Sequence, residues 1–438
     1  MTADPRLDPT PPTHDVVPTP GLWRNGAFVR VWSAATVSVF GSFVTRIALP
    51  FVAILTLHAG AIEVAILRSL DLLAALLVGF VAGAWVDRLR RRPVLIWADI
   101  GRAVLLGSIP VAAIGGWLTL PQVFIVSALA GVLTTFFDVA DRAYLPTVVG
   151  RGELVRANGA LAATSSAVEF VAFGVAGFLV NLLTAPIAIA IDALSFVVSA
   201  VLLGSIRKPE PPPPPPADRE PVVDEIREGL RLVVRDPVLR GLVWGTMGLA
   251  AMWGIFGATW LLFVTDDLHL DPAVIGVVAA LGGFGSLLGA VFAERAVRRF
   301  GLGPVVVVSL LFAALGNLLI PLAPAGLPLV AIACLIGQQL IGDTAVTVFD
   351  VTEISVRQAR VGDRQLGRVN ATVGVAMVMA QLAGTLAGGL VAEVIGLRGA
   401  AFLAPVFALL GAWAMFRSPV SRLRSLASST TATPASVE

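Results

Sequence analysis

Ten residues, Gly83-Ala-Trp-Val-Asp87-Arg88-Leu-Arg90-Arg91-Arg92, carry five charges between two apolar runs, Leu72 to Val86 and the stretch opening at Pro93. Cations packed that tightly between two membrane spans lie on the cytoplasmic side of the bilayer. The stretch therefore reads as a short inner loop of a polytopic membrane protein. It fixes the orientation of every other span.

The rest of the chain agrees. Of its 438 residues 57% are hydrophobic and 14% charged, too apolar a balance for an ordinary soluble domain. Twelve apolar segments of spanning length follow one another, at about 28–57, 61–83, 94–116, 120–145, 155–182, 185–205, 238–265, 273–293, 303–323, 327–356, 366–394 and 398–417; each needs about 20 residues to cross the hydrocarbon. With this map, 27 of the 31 Lys and Arg fall on the predicted inner side, the exceptions being Arg46, Arg68, Arg102 and Arg398. A wrong helix count would scramble that alternation. Both termini are expected in the cytoplasm of a multi-pass protein of the cell membrane.

Five regions result: a disordered N-terminal tail (1–27), a first six-helix bundle (28–205), an inner linker (206–237), a second six-helix bundle (238–417) and a disordered tail (418–438). The linker holds the run Pro211 to Pro216, a stiff spacer, and then Val222, Val223, Ile226, Leu230 and Val233 at helical spacing. That amphipathic helix lies either on the inner membrane surface or on the protein's own inner loops.

The two halves repeat each other. Phe137-Asp138-Val139-Ala140-Asp141 returns 212 residues later as Phe349-Asp350-Val351-Thr352-Glu353, and Arg156-Ala-Asn158 as Arg368-Val-Asn370. The charged loop returns as Ala290-Val-Phe-Ala-Glu294-Arg295-Ala-Val-Arg298-Arg299. Duplicated bundles joined by a long inner loop are the plan of an alternating-access transporter. The fold expected is an all-α membrane protein, twelve helices in two pseudo-symmetric six-helix bundles.

With Gly83, Asp87, Arg88, Arg91 and Arg92 in the pattern Gly-x-x-x-Asp-Arg-x-x-Arg-Arg, the chain resembles the major facilitator superfamily. The stretches at 138–146, 156–158, 191–196 and 368–370 resemble its branch of macrolide, multidrug and siderophore exporters. The resemblance implies that Asp87 meets the end of the eleventh helix, which carries Gly384-x-x-x-Gly388. Arg88 and Arg91 then face Asp138 or Asp141, an inner latch that joins the two bundles while the cavity faces outward. In the second half Glu294, Arg298 and Arg299 face Asp350 or Glu353. The alternative is a set of solvated charges that only set topology. The proline of the proton-exchanger signature is missing from Phe173-Gly174-Val-Ala-Gly177, which weakens the implied proton exchange.

An ionisable group inside a span costs about 2.5–3.5 kcal/mol on insertion, so each needs a partner or a role. Arg46 and Asp71 are expected to pair, with Arg68 one turn away; Asp99 and Arg102 are local partners, and Asp192 is structural. Glu169 and Asp343 have no evident cation. They are candidates for coupling export to a proton gradient or for attracting a cationic solute; the alternative is a hydrogen bond to Gln338, Gln339 or Gln381. Phe40, Phe43, Phe136, Phe137, Met252, Trp253, Phe256 and Trp260 are candidates to wall a cavity for a bulky amphipathic solute.

The expected function is secondary active export of a hydrophobic or amphipathic small molecule by a monomer in the lipid bilayer, with an importer of the same fold as first rival. A membrane-embedded enzyme would need converging nucleophile, base or metal ligands, and no such constellation shows: one cysteine, Cys334, and three scattered histidines offer no metal site. No phosphate-cradling loop, no cofactor motif and no basic nucleic-acid module is present.

Overall fold

The computed structural model describes residues 21–86, 88–210 and 222–423. Asp87, the proline run, most of the N-terminal tail and the tail beyond 423 lie outside the described residues, as does the side-chain environment at Gly83. Among the described residues the chain is helical, without a strand: α1 (Gly26–Thr56), α2 (Ala61–Val86), α3 (Arg91–Ile114), α4 (Leu120–Val149), α5 (Leu154–Leu183), α6 (Ala185–Gly204), α7 (Val222–Arg235), α8 (Pro237–Asp267), α9 (Pro272–Phe300), α10 (Leu302–Leu322) and α11 (Pro328–Arg360). A final helical run, Asp363–Arg417, breaks at Gly396 into α12 (363–395) and α13 (397–417).

Nine helical stretches among the described residues are long and apolar enough to cross a bilayer, and α5, bent by 40° near Gly174, makes a tenth. Dividing the last stretch at Gly396 and adding the 26-residue α2 gives the expected twelve crossings. The division is physical. Gly396 has φ 79° and ψ 164°, a backbone state that a side chain would strain. Arg398, the one cation expected on the far side, then donates to the carbonyls of Pro321 (2.7 Å) and Ala323 (2.8 Å) at the end of α10. The cation expected on the far side thus caps a helix end. Side chains close other starts: Asn25 accepts from the N–H groups of Ala27 and Phe28, and Asp236 from those of Val238 and Leu239.

In the first bundle α1 and α3 pack on α6, and α2 on α4; in the second α12 and α13 pack on α8, and α9 and α10 on α11. The first bundle's core holds a buried ion pair, Asp99 with Arg102 at 2.5 Å. The Arg102 guanidinium lies between the rings of Phe137 (4.3 Å) and Phe196 (4.1 Å). Asp192 accepts from Ser195 at 3.0 Å beside them. These are the local partners expected of Asp99 and Arg102, and Asp192 is held within the core.

The two halves meet along two seams, α2 with α12 and α5 with α9. Both contacts are closest at the ends remote from the arginine-rich loops. Gly389 lies against Ala61 and Ala65, and Gly177 against the backbone of Pro272 and Gly276. Small residues permit this approach. At the cation-rich ends the halves part: Val155 (84% exposed) and Phe300 (61%) stand open, and a side chain at Gly159 would touch nothing within 4 Å.

Helix α7 settles on the protein itself. Gly229 abuts Arg368 and Thr372 of α12, Glu228 pairs with Arg368, and Arg360 reaches Asp236 at 2.7 Å. Of the two placements open for this helix, the described residues show the one on the protein.

Candidate functional site

Between the halves lies a cavity of about 860 Å³. It is open toward the cation-rich end and bounded at the other by the glycine contacts. From the first half, α2 contributes Arg68, and α5 contributes Ser166, Glu169 and Phe170. From the second, α8 contributes Trp253, Phe256 and Trp260, and α11 contributes Gln338, Gln339 and Asp343. The wall is therefore aromatic with a few polar groups, the make-up of a small-molecule site.

Each polar group has a local cause. Asp343 ends a π-turn, Gln339–Asp343, whose extra residue per turn shifts the register of α11 and brings both Gln339 and Asp343 to the lumen. Gln339 donates to the carbonyl of Val278 at 3.0 Å, and Thr344 to that of Gly285 at 2.8 Å, fixing this bend on α9. Asp343 lies against Gly282, which has no side chain to displace it. Glu169 lies on the lumen face of α5, and neither acid makes an ion pair among the described residues. Arg68 is the cation of the wall, and its Nε is buried without a hydrogen-bond partner.

Several expected placements are corrected. Arg46 and Asp71 form no direct ion pair: Arg46 lies over the Phe43 ring at 4.9 Å, and Asp71 accepts from Ser127 at 2.9 Å. Asp71 feels Arg68 and Arg46 only at longer range. Of the eight cavity candidates, Trp253, Phe256 and Trp260 line the space. Met252 is fully buried in the core, Phe40 packs on that core, and Phe43 is buried beneath Arg46. Phe137 clasps Arg102, and Phe136 faces Trp85 at 6.4 Å. A helical periodicity shows that a face is apolar, not which neighbour covers it.

Among the described residues the latch pairs are not made; the Asp87 contact lies outside them. Arg91 lies 3.8 Å from Glu210, whose carboxylate also accepts the backbone N–H groups of Arg91 (2.6 Å) and Arg92 (3.1 Å). Arg92 donates to the carbonyls of Leu203 and Gly204 at the end of α6. Arg88 is exposed, and it joins neither Asp138 nor Asp141; the cations nearest those acids are Arg142 and, for Asp138, Arg102. In the second half Glu294 pairs with Arg298 on its own helix (3.4 Å), and Glu353 with Arg357 (3.5 Å); Arg299 lies over Phe300, and Asp350 has no ion pair among the described residues. The glycines Gly384 and Gly388 rest on Ala251 and Ile255 of α8, not on α2. The physical reason is competition inside each half: Glu210 and the carbonyls at the end of α6 take Arg91 and Arg92, and Arg298 and Arg357 take Glu294 and Glu353 one turn away on their own helices.

Glu210 was not legible as a helix cap, because it acts on residues 119 positions earlier. Arg68 and the two glutamines became lumen residues only through helix rotation and the π-turn.

The profile of the Major Facilitator Superfamily matches this chain at residues 31–264 and again at 242–437. The "Multidrug efflux pump Tap" of Mycolicibacterium fortuitum is 28% identical over 419 residues, 92% of this chain and 98% of that protein. "Macrolide efflux protein A" of Streptococcus pyogenes is 25% identical over 264 residues, 60% of this chain and 64% of that protein. Among solved structures, a bacterial homologue of the iron transporter ferroportin in the inward-facing state superposes with a TM-score of 0.70 at 19% identity, covering 91% of this chain and 99% of that one.

Proposed function

This chain belongs to the Major Facilitator Superfamily, and from that premise we propose that it is a secondary active exporter of amphipathic small molecules that exchanges its solute for protons. Its cation-rich end is the cytoplasmic one, so both termini lie in the cytoplasm and the conformation described is inward-facing. One observation carries the reading: the cavity of about 860 Å³ between the halves, walled by Phe170, Trp253, Phe256 and Trp260 and holding two carboxylates, Glu169 and Asp343, that make no ion pair among the described residues.

The mechanism follows from the geometry. A solute enters from the cytoplasm and lays its apolar body on the tryptophans, while the two acids take either its cationic group or a proton. Rocking of the halves then separates α5 from α9 and α2 from α12 at the outer ends and brings the inner ends together. There the 88–92 loop meets the second half and the 294–299 stretch meets the first, contacts that turn the arginines of each toward Asp138 and Asp141, and toward Asp350 and Glu353, within their own half. Proton entry from outside discharges the solute and resets the cycle. The direction, outward, is supported by the two efflux proteins to which the chain is similar.

The test uses purified protein in liposomes with an imposed pH gradient. Lipophilic cations, macrolides and iron chelators are added in turn while proton movement and solute accumulation are recorded. Proton flux that depends on the solute and reverses with the gradient is expected. Solute movement without proton flux would overturn the coupling, and no movement of any class would overturn export.

A further inference from the structure

At the cytoplasmic edge of the first half, outside the central cavity, Arg90 before α3 and Arg92 in its first turn meet Arg207 and Lys208 of the connection after α6. With Ile96, Trp97 and Glu210 they border a groove of about 460 Å³. We propose that this groove binds the headgroup of an anionic phospholipid from the cytoplasmic leaflet, with an acyl chain laid along α3.

Two independent features meet there. The first is a fixed excess of positive charge. Arg92 is anchored by the carbonyls of Leu203 and Gly204, and Lys208 donates to Val148 at 2.9 Å, so both cations are held in place by helix ends without being neutralised. Arg90 and Arg207 are exposed and make no ion pair among the described residues. The one carboxylate, Glu210, is turned onto the Arg91 and Arg92 backbone N–H groups and the Arg91 side chain. Four cations remain around an open groove, suited to the oxygens of a phosphodiester.

The second is a greasy track that starts in the same groove. Trp97 (70% exposed), Ile100, Val104, Val111 and Ile114 are exposed along α3 at intervals of 3, 4, 7 and 3 residues, one face of the helix. The stripe is about 25 Å long, and its first half spans one leaflet. A tryptophan at the boundary between charge and stripe has the amphipathic ring favoured at that depth. A soluble phosphate compound would use the cations and leave the stripe idle; a phospholipid uses both.

Juxtamembrane cations attract anionic lipid by about 1 kcal/mol each, about fivefold in affinity. The test is native mass spectrometry of the purified protein titrated with phosphatidylglycerol or phosphatidylcholine. Phosphatidylglycerol should bind preferentially, and Arg90→Gln with Arg207→Gln should weaken it roughly 25-fold, whereas Arg240→Gln with Arg295→Gln should not. Brominated-chain phosphatidylglycerol should quench a tryptophan signal that disappears in Trp97→Phe. Equal binding of the two lipids, equal loss in both double variants, or no Trp97 quenching would overturn the proposal. So would displacement by millimolar inorganic phosphate, which would make the site one for a soluble anion.

Discussion

The contact between Gly177 and Gly276 is a place where one methyl group should change the balance of conformations. A Cβ on Gly177 would stand 2.7 Å from the Gly276 Cα and 2.9 Å from its N, and closer still to the Pro272 carbonyl oxygen. Ordinary contact begins near 3.4 Å, so α5 and α9 must part by several tenths of an ångström, and both obstacles are backbone that cannot rotate away. Overpacking a rigid contact costs about 1–3 kcal/mol. That cost applies only where this seam is closed, so Gly177→Ala should shift the equilibrium roughly 5- to 150-fold toward the conformation with the seam open. Spin labels at Val155→Cys and Phe300→Cys, in a Cys334→Ser background, report the gap between the cation-rich ends of α5 and α9. In Gly177→Ala that distance should shorten, whereas Gly374→Ala, which meets nothing within 4 Å, should leave it unchanged. An unaltered distance distribution in a folded Gly177→Ala protein would refute the argument that this seam is the closed gate.

Three further outcomes are expected. Asp343→Asn and Glu169→Gln should each abolish proton-driven export in liposomes while the amount inserted stays the same, and unchanged export by either would remove that acid from the coupling. Arg102→Ala leaves Asp99 buried and unpaired, a loss of about 3–5 kcal/mol, seen as a collapse in thermal stability or yield. Glu210→Ala removes the acceptor at the start of α3 and should cost about 1 kcal/mol, measured as a small fall in melting temperature with the fold retained.

Much of the architecture was legible because membrane insertion leaves its pattern in the chain. Alternating cations, apolar runs of spanning length and the 212-residue repeat give the helix count and the two-bundle plan. The Asp99–Arg102 pair was legible too, since a spacing of three residues on one helix fixes a contact. What could not be read depends on rotation and distance. Nothing in Gln339-Leu-Ile-Gly-Asp343 announces a π-turn, yet that turn decides what α11 shows the lumen. The four phenylalanines on α1 and α4 obey the same apolar pattern as the tryptophans on α8, but they are covered by their own bundle. The latch charges were read without their competitors: Glu210 and the Leu203 carbonyl, far along the chain from the charged loop, hold Arg91 and Arg92 instead.

The duplication has a consequence for how cargo is held. At the 212-residue shift Glu169 answers to Gln381 and Asp343 to Gly131, and at the 207-residue shift of the charged loop Arg68 answers to Ile275. None of the three ionisable groups on the lumen wall has a twin. A twofold scaffold thus encloses a lopsided electric field, and a molecule with one charged pole can dock in a single polarity. Enantiomers and head-to-tail isomers of one compound should therefore be handled differently, although the apolar wall alone would scarcely tell them apart.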